Sequence, residues 1–504
     1  MGDYILGLDA GNTVIKAIIF DMAGRELALA ARDGRSSMPK PGHVERDLGE
    51  LWRNAVDVIG QCIEQAGIDA GDIVAIGCAG HGNGLYALDR DGAPLIGIQS
   101  LDTRAVGIVD EWAGQNVGDH TYRHCLQRPW AAQTPTLLAW LKRFAPELFA
   151  RIGTVFLCKD FVVNRLTGAR STDMSDMSGC GLLQMPGRRY EHELLDAYGL
   201  GDCMAMLPPA LESAQIAGHI TGEVACLTGL SAGTPVIAGL FDVVASAIGS
   251  GVTRTGAASI IAGTWSINQV ITDEPIRDPS IFMLSTFDPR RYLAIESSAT
   301  SAANLEWIVR EFLEHAAGSD KSPFELCSDL VASVDADADI PIYHPFLYGS
   351  QQNGSARAGF YGLAGWHTRA HMLRALFEGV AFEHKRHVET LHKAGAGFDS
   401  AVLSGGGSRS RIWPQIFADV LGVPITVPRS RETGALGAAI AAATAIGAFA
   451  DFSAGAAAMS EAARRYAPNP AVVPAYAQRY RLYGEIQKAM TPIWQRMAAR
   501  QARP

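Results

Sequence analysis

Residues 4–21, Tyr-Ile-Leu-Gly-Leu-Asp-Ala-Gly-Asn-Thr followed by Val-Ile-Lys-Ala-Ile-Ile-Phe-Asp, constrain this chain more than any other stretch. Two apolar, β-rich runs flank a short polar turn, which reads as an antiparallel hairpin. Asp9 closes the first strand. Gly11, Asn12 and Thr13 form the turn, and Lys16 lies on the returning strand. A glycine turn with backbone N–H groups and a hydroxyl can wrap phosphate oxygens. A carboxylate beside it can hold Mg²⁺ directly or through water, and a lysine supplies a point charge for a terminal phosphate. The grouping points toward ATP chemistry. The competing reading is an ordinary surface hairpin with a solvated aspartate, since Asp-x-Gly suits many turns for backbone reasons alone.

The chain has 504 residues, more than one ordinary core accommodates, so two large domains are expected, 1–250 and 251–504. Apolar residues make up 48% and charged residues 19%, which is the balance of a folded globular protein rather than a disordered one. The net charge of −9 and the lack of any Lys/Arg block argue against a nucleic-acid partner. Arg496, Arg500 and Arg503 form the longest basic cluster and read as a solvated helix end. Eight cysteines are scattered without a Cys-x-x-Cys pair, as expected of reduced, mostly buried thiols in a cytoplasmic protein. The first apolar run contains Asp9 and lacks a basic leader, so no secretory signal is read there. Residues 434–450 carry no charge, but they are Ala/Gly-rich and too short for a ~20-residue membrane span. They read as a helix packed tightly against neighbouring backbone. No membrane partner is expected.

The remaining pattern alternates strands with helices, the mark of an α/β fold. Apolar residues at helical spacing mark 48–66. Strands are expected at 26–31, 73–78, 85–88, 234–239, 258–263 and 267–271, and helices at 243–250, 411–421 and 432–446. Thr368 is the expected N-cap of a further long helix. A last helix carries Leu482, Ile486, Met490, Trp494 and Met497, expected as core contacts. The strand–turn–strand unit at 258–271 repeats the design of residues 4–21, suggesting a duplicated architecture. Four Gly-rich or acidic turns each follow an apolar strand: 9–16, 80–84, Asp242 with Gly263 and Thr264, and 405–408. Strand ends are where α/β folds place ligands.

In this order the motifs resemble the FGGY carbohydrate kinases. The resemblance rests on Leu-Asp-Ala-Gly-Asn-Thr (8–13), Pro-Gly-His-Val-Glu-Arg-Asp (41–47), Ile-Gly-Cys-Ala-Gly-His-Gly-Asn-Gly (76–84), Leu-Asp-Thr-Arg (101–104) and Gly-Leu-Phe-Asp (239–242). It continues through Ala-Gly-Thr-Trp (262–265), Gly-Phe-Tyr-Gly-Leu (359–363), Ser-Gly-Gly-Gly-Ser-Arg-Ser (404–410) and Glu-Thr-Gly-Ala-Leu-Gly-Ala-Ala (432–439). The resemblance implies two actin-like (ribonuclease H-like) ATPase domains with substrate and MgATP held in the cleft between them, and a homo-oligomer, expected as a dimer.

For individual residues the resemblance implies the following roles. Asp242 would be the catalytic base, against its ordinary reading as a helix N-cap. Asp9 would be associated with Mg²⁺. Gly11, Asn12, Thr13 and Lys16 would form the first phosphate loop, and Gly263 with Thr264 the second. Gly405, Gly406, Gly407 and Ser408 would take the adenosine. His81, Gly82 and Asn83 would form the substrate turn, and Trp130 is a candidate pocket wall whose default reading is core. Glu45, Asp47, Asp102 and Arg104 are expected to hold loop geometry through ion pairs. The stretches at 239–246, 304–307, 345–350 and 367–371 are most similar to the L-xylulose/3-keto-L-gulonate kinase branch. That branch often carries Lys where this chain has Asn83, which favours a neutral ketopentose, L-xylulose first. Erythritol, xylitol, D-xylulose and glycerol are the alternative substrates. Outside the enzyme class, the alternative is a nucleotide-gated, actin-like sugar sensor.

Overall fold

A computed structural model describes residues 3–313, 321–350 and 354–501. The side chain of Arg500 and all of Arg503 lie outside the described residues. The elements that position the site are, in chain order, β1 (Tyr4–Ala10), β2 (Val14–Asp21), β3 (Glu26–Asp33), α1 (Leu48–Ala66), β4 (Ile73–Gly80) and β5 (Leu85–Asp89). Next come α2 (Cys158–Thr167), α3 (Met174–Gly179), β6 (Ile216–His219), β7 (Pro235–Ile237), β8 (Leu240–Phe241) and α4 (Asp242–Gly249). They are followed by β9 (Ala258–Ala262), β10 (Ser266–Thr272), α5 (Arg369–Lys393), β11 (Ala401–Ser404), α6 (Trp413–Leu421), β12 (Ile425–Pro428), α7 (Thr433–Ala445), β13 (Ala462–Tyr466) and α8 (Val473–Gln501).

The chain divides into two compact units. The first comprises Met1–Thr255, Ile271–Ala294 and Glu432–Glu461; the second comprises Gly256–Val270, Ile295–Arg431 and Ala462–Pro504. The division near residue 255 falls beside the expected boundary. The segment around α7, however, returns to the first unit.

In the first unit the sheet runs β6-β7-β4-β1-β2-β3, with β8 also paired to β4. β1 and β2 form the antiparallel hairpin expected from sequence, with Asp9 opposite Lys16. β4 lies parallel to β1, with Asp9 opposite Ala79, and β8 lies parallel to β4, with Phe241 opposite Gly80. The C-terminal ends of β1, β4 and β8 therefore sit side by side. α1 covers this sheet with Leu48, Leu51, Ala55, Val58, Ile59 and Cys62, all buried. Each of the leucine, valine and isoleucine side chains among them contributes ~1.5–3 kcal/mol when fully buried. Asp47 caps α1 by accepting from the Glu50 N–H at 2.7 Å, and Gly67 ends it in the left-handed region at φ 63°.

α7 is the Ala/Gly helix read from sequence as packing on backbone, and it does so. A Cβ built on Gly437 would lie 1.8 Å from the Ala245 carbonyl oxygen of α4, and one on Gly77 of β4 would lie 1.9 Å from the Ala438 oxygen. Gly7 of β1 approaches the Ala435 oxygen in the same way, at 2.3 Å. Only glycine permits contacts this close, and they draw α7 out of the second half of the sequence into the first unit.

In the second unit β9 and β10 form an antiparallel hairpin, β11 lies parallel to β9, and β12 lies parallel to β11 with β13 antiparallel at its side. Its first three strands thus repeat the β1–β2–β4 arrangement. α8 departs from expectation in part: Trp494 is buried as expected and Ile486 and Met490 are half-buried. Leu482 and Met497 are exposed at 47% and 49%, whereas Tyr476, Tyr483 and Trp494 are buried. The aromatic residues hold this helix, and the Tyr476 hydroxyl accepts from buried Arg374 at 2.8 Å. Among the described residues all eight cysteines are free, and only Cys226 is exposed. No described helix is long and apolar enough to cross a membrane.

The glycine contacts of α7 set the sign of a simple comparison. Helix propensity alone favours alanine over glycine by ~1 kcal/mol. Gly484→Ala in α8, where nothing lies within 4 Å, should be neutral or stabilising by up to that amount. Gly437→Ala should destabilise by about 1–3 kcal/mol or more through overpacking. Urea unfolding of the two variants beside the parent checks the opposite signs.

Candidate active site

The first unit gathers the acidic and phosphate-loop residues at adjoining strand ends. Asp9 ends β1 and Asp242 follows β8, two strand spacings away, or about 10 Å between backbones. Both side chains are half-buried. Burial raises Asp9 to about 6, lowered in part by Lys16 and raised further by Glu432. Asp242 is pushed up to about 8 by burial and then by the Asp9 charge, with the Val243 backbone N–H opposing. Asp242 is the first residue of α4 and the N-cap position is Phe241, so the ordinary N-cap reading does not hold. Lys16 is not a solitary cation: its Nζ is 2.5 Å from Glu432 Oε2. A Cβ on Gly434 would stand 2.9 Å from Asp9 Oδ2, so glycine at that position leaves room beside the carboxylate.

The phosphate turn is held from below. Gly11 N–H donates to the Val14 oxygen at 3.0 Å. Arg46 donates to the Gly11 oxygen at 2.8 Å, and Gln99 to the Asn12 oxygen at 2.6 Å. Asn12 Nδ2 donates to Ser100 Oγ at 2.9 Å, while Asn12 Oδ1 is buried without a partner. Thr13 is exposed. A divalent cation fits this set: Asp9 is a hard oxygen donor, the glycine at 434 leaves room beside it, and the Glu432 carboxylate adds negative charge nearby.

The turn at 80–84, expected to hold the substrate, follows β4. Asn83 adopts φ 60° and Gly84 φ 75°. Gly84 N–H donates to the Ala132 oxygen at 2.9 Å, and Thr134 Oγ1 donates to the Gly84 oxygen at 2.9 Å. These bonds join the turn to the loop bearing Trp130, which is half-buried with its ring 5.8 Å from that of Phe282. Asn83 is buried, and its Oδ1 has no hydrogen-bond partner. Gly82 is required sterically, because a Cβ there would meet the Phe241 ring at 2.5 Å and Asp176 Oδ1 at 2.8 Å. His81 is turned away into the protein. Its Nε2 lies 2.7 Å from the Tyr86 hydroxyl, and burial lowers its pKa to about 3, which keeps it neutral. His81 is thus buried and held by Tyr86.

Beneath the turn lies a network that sequence reasoning missed. Lys159 Nζ, fully buried, reaches Asp160 at 2.5 Å, Asp173 at 2.7 Å and Asp176 at 3.1 Å. Burial works to lower the lysine's pKa, but the three carboxylates outweigh it and hold the ammonium well above its usual range. Burial and the neighbouring acids raise Asp176 well above the ordinary carboxylate. Asp173 accepts from Ser175 Oγ at 2.5 Å, and Ser175 Oγ accepts the Phe241 N–H at 3.0 Å. The network thus fixes the backbone next to Asp242. Lys159-Asp160 and Thr-Asp-Met-Ser-Asp at 172–176 were its sequence signal. The expected loop ion pairs are present: Arg104 bridges Glu45 at 2.7 Å and Asp102 at 2.9 Å.

In the second unit Gly263 and Thr264 form the turn after β9, with Thr264 exposed and Gly263 oxygen accepting from Ala302 N–H at 2.8 Å. Ser408 Oγ donates to the Gly405 oxygen at 2.7 Å and closes the turn after β11. Gly405, at φ 82°, and Gly407 pack on Ala262, where a Cβ would come within 2.9 and 2.8 Å. Gly406 has open space instead and lines a cavity of about 500 Å³ with Leu305, Phe324, Phe377, Gly407 and Trp413. The Phe377 and Trp413 rings stack 4.2 Å apart at its wall.

Residues 4–249 match the N-terminal domain, and residues 258–446 the C-terminal domain, of the FGGY family of carbohydrate kinases. The chain is 34% identical over 495 residues to the L-xylulose/3-keto-L-gulonate kinase of Escherichia coli (strain K12), covering 97% of this chain and 98% of that protein. It is 33% identical to a probable L-xylulose kinase of Pasteurella multocida (strain Pm70), covering 97% and 99%. The crystal structure of xylulose kinase from Rhodospirillum rubrum superposes with a TM-score of 0.88 at 28% identity, covering 98% of this chain and all of that one. The mixed α/β architecture is the actin-like ATPase fold of such kinases. With both domains matched and near-complete coverage at this identity, the chain belongs to the FGGY family of carbohydrate kinases, which use ATP.

Proposed function

We propose that this kinase transfers the γ-phosphoryl group of MgATP to a terminal hydroxyl of a neutral ketopentose, L-xylulose foremost. The observation that supports the reading is the placement of Asp9 and Asp242 at the same edge of the sheet, on strands flanking β4, with the Asp9 charge adding to the burial that raises Asp242. Asp242 orients the sugar hydroxyl and takes its proton. Thr13 and Lys16, with Gly11 and Asn12, receive the terminal phosphates in the first unit. Gly263 and Thr264 serve phosphate in the second, and Gly405 to Ser408 with the adjoining cavity take adenosine. Asp9 is the residue that holds Mg²⁺; the ion, when bound, neutralises charge on the phosphates. Most of the acceleration then comes from positioning and charge neutralisation, as phosphoryl transfer requires. A homodimer acting on a small sugar in the cytoplasm is the setting we propose.

Asn83 supports a neutral substrate. Its buried Oδ1 is an acceptor in want of a donor, and a sugar hydroxyl donates where a carboxylate only accepts. Residues 79–85 contain no lysine or arginine to meet an acid. Trp130 and Gly82 border the same turn. A panel of L-xylulose, D-xylulose, xylitol, erythritol, glycerol and 3-keto-L-gulonate with MgATP, read by ADP release, should give the highest kcat/KM with L-xylulose and a poor one with the acid. Asn83→Ala should raise KM for the ketose about tenfold. No stimulation by any sugar counts against the reading.

Asp242→Asn should lower kcat by ~10²–10⁴-fold, the usual contribution of a general base, with ATP binding retained. The same substitution has a pH signature. A carboxyl raised in the folded state from 3.8 to about 8 contributes stability below 3.8 that is lost as pH rises through about 8. The parent's Tm without ligand should therefore fall across pH 5–9, and Asp242→Asn should flatten that fall and melt higher at pH 8.5. Equal slopes in the two proteins would show that Asp242 is not a strained, desolvated base.

A further inference from the structure

We propose that Arg46 is a positioning residue for the phosphoryl transfer: it holds the first phosphate turn in shape from beneath and adds a buried positive charge behind the phosphates that the turn receives. This role rests on the reading of residues 9–16 as the first phosphate loop. Arg46 belongs to the two-residue strand Glu45–Arg46 just before α1 and is 2% exposed. Its Nη1 donates to the Gly11 oxygen at 2.8 Å and, less closely, to the Asn12 oxygen at 3.4 Å. Its Nε and Nη2 are buried without a hydrogen-bond partner. Among the described residues no carboxylate pairs with it. The acids on either side in sequence are engaged elsewhere, Glu45 with Arg104 and Asp47 with the Glu50 N–H.

The bonds made by Nη1 decide which way the turn's donors face. In a trans peptide the C=O and the following N–H point in opposite directions across one rigid plane. The Gly11 oxygen shares its plane with the Asn12 N–H, and the Asn12 oxygen with the Thr13 N–H. Arg46 draws both oxygens toward the protein, so it turns both N–H groups away from itself. Gln99 Nε2 donates to the Asn12 oxygen as well, at 2.6 Å, and the Gly34 N–H donates to the Thr13 oxygen at 2.6 Å. All three carbonyls of the turn are thus taken. Among the described residues the Asn12 and Thr13 N–H groups make no hydrogen bond. Successive free N–H groups of this kind form an anion-binding concavity.

Charge is the second part of the role. A guanidinium stays protonated in any surroundings, and a buried charge is costly unless it is paired. His81, Tyr86 and Cys158 are near enough to feel the Arg46 charge, and none of them is an anion. Burial, with the Arg46 charge adding to it and the Gly82 backbone opposing, keeps His81 neutral. Burial keeps the Tyr86 hydroxyl and the Cys158 thiol protonated. The charge under the turn is therefore offset only when an anion reaches the turn, and in a dry interior it acts on that anion with little screening. Room for the guanidinium comes from Gly34, which follows β3: a Cβ there would lie 2.2 Å from Nη2 and 2.6 Å from Cζ.

The full chain is titrated by calorimetry with adenosine and with the non-hydrolysable imido analogue of MgATP, then assayed with MgATP and the best sugar of the panel above. A parent that binds the analogue no more tightly than adenosine overturns the phosphate-loop reading and this role together; failure of the role alone shows in the variants only. Arg46→Met should weaken the analogue and lower kcat at least about tenfold each, the scale of a charged hydrogen bond. Adenosine affinity and KM for the sugar should stay within about twofold, and Arg46→Lys should recover part of the loss. Gly34→Ala keeps the arginine but displaces its guanidinium, the movable end of a side chain. It should weaken the analogue by a smaller factor and add nothing to Arg46→Met, as groups acting through one contact do. A merely structural arginine would weaken adenosine and analogue in proportion. Four results overturn the role: parent-like analogue affinity in Arg46→Met, the same in Gly34→Ala, proportional loss of both ligands, or losses that multiply in the double variant. Where Arg46→Met does not fold, Gly34→Ala decides alone, selective loss of the analogue supporting the role and unchanged affinity overturning it.

Discussion

The close approach of α7 to the first unit's sheet is the constraint on which the acidic site depends. Glycines at 7, 77, 249 and 437 bring helix backbone against strand and helix backbone, where a methyl group would collide with a carbonyl oxygen. The helix starts at Thr433, so this packing fixes what stands at its first turn. Glu432 meets Lys16, Gly434 faces Asp9, and Thr433 Oγ1 lies 2.7 Å from Ser246 Oγ of α4. A shift of the helix by a fraction of an ångström would disturb the environment of both Asp9 and Asp242. The tightness of the small-residue packing is therefore as much a matter of electrostatics at the strand ends as of stability.

Charge at those strand ends is left unbalanced in the protein without ligand. Glu432 neutralises Lys16 across 2.5 Å, so the lysine gives Asp9 less relief than its proximity in the hairpin suggests. Burial is the main cause that raises Asp9 to about 6 and Asp242 to about 8, the Asp9 charge adding to the second. A folding-optimised surface would place a cation between them. Perturbed carboxylates at a strand edge mark functional sites, and the cost is carried by the buried glycine packing beneath. The Lys159 cluster shows the opposite solution. There the ammonium is shared among three acids out of reach of solvent, and its product is a fixed backbone next to Asp242 rather than a reactive group.

Much of this was legible in the sequence because the signals are local. β-Branched runs and Gly-rich turns located β1, β2, β4, β9 and β11 and the ends that carry Asp9, Asn83, Gly263 and Gly405. The Ala/Gly run at 434–450 announced a helix against backbone. What escaped was nonlocal or depended on direction. Lys16 and Glu432 are 416 positions apart, and nothing in either neighbourhood predicts their pairing. His81 lies in the right turn, but which way its ring points is decided by Tyr86. In α8 the expected apolar stripe holds at Trp494, while Tyr476 and Tyr483 take the rest of the buried face and leave Leu482 and Met497 to solvent.

The arginines after β11 and β12 show the same limit in its strongest form. Along the chain they are scattered, and the composition argues against any basic surface. Each Arg-Ser-Arg tripeptide, 409–411 and 429–431, taken singly is an ordinary solvated loop. They come together only because two parallel strands end side by side and a third returns antiparallel to deliver Arg464. Parallel pairing places equivalent loop positions next to each other, so a short motif repeated after two adjacent strands doubles its local charge density without any contiguous run. Net charge is blind to that arrangement. Strand order combined with the residues immediately following each strand is the reading that detects it, as it does for Asp9 after β1 and Asp242 after β8.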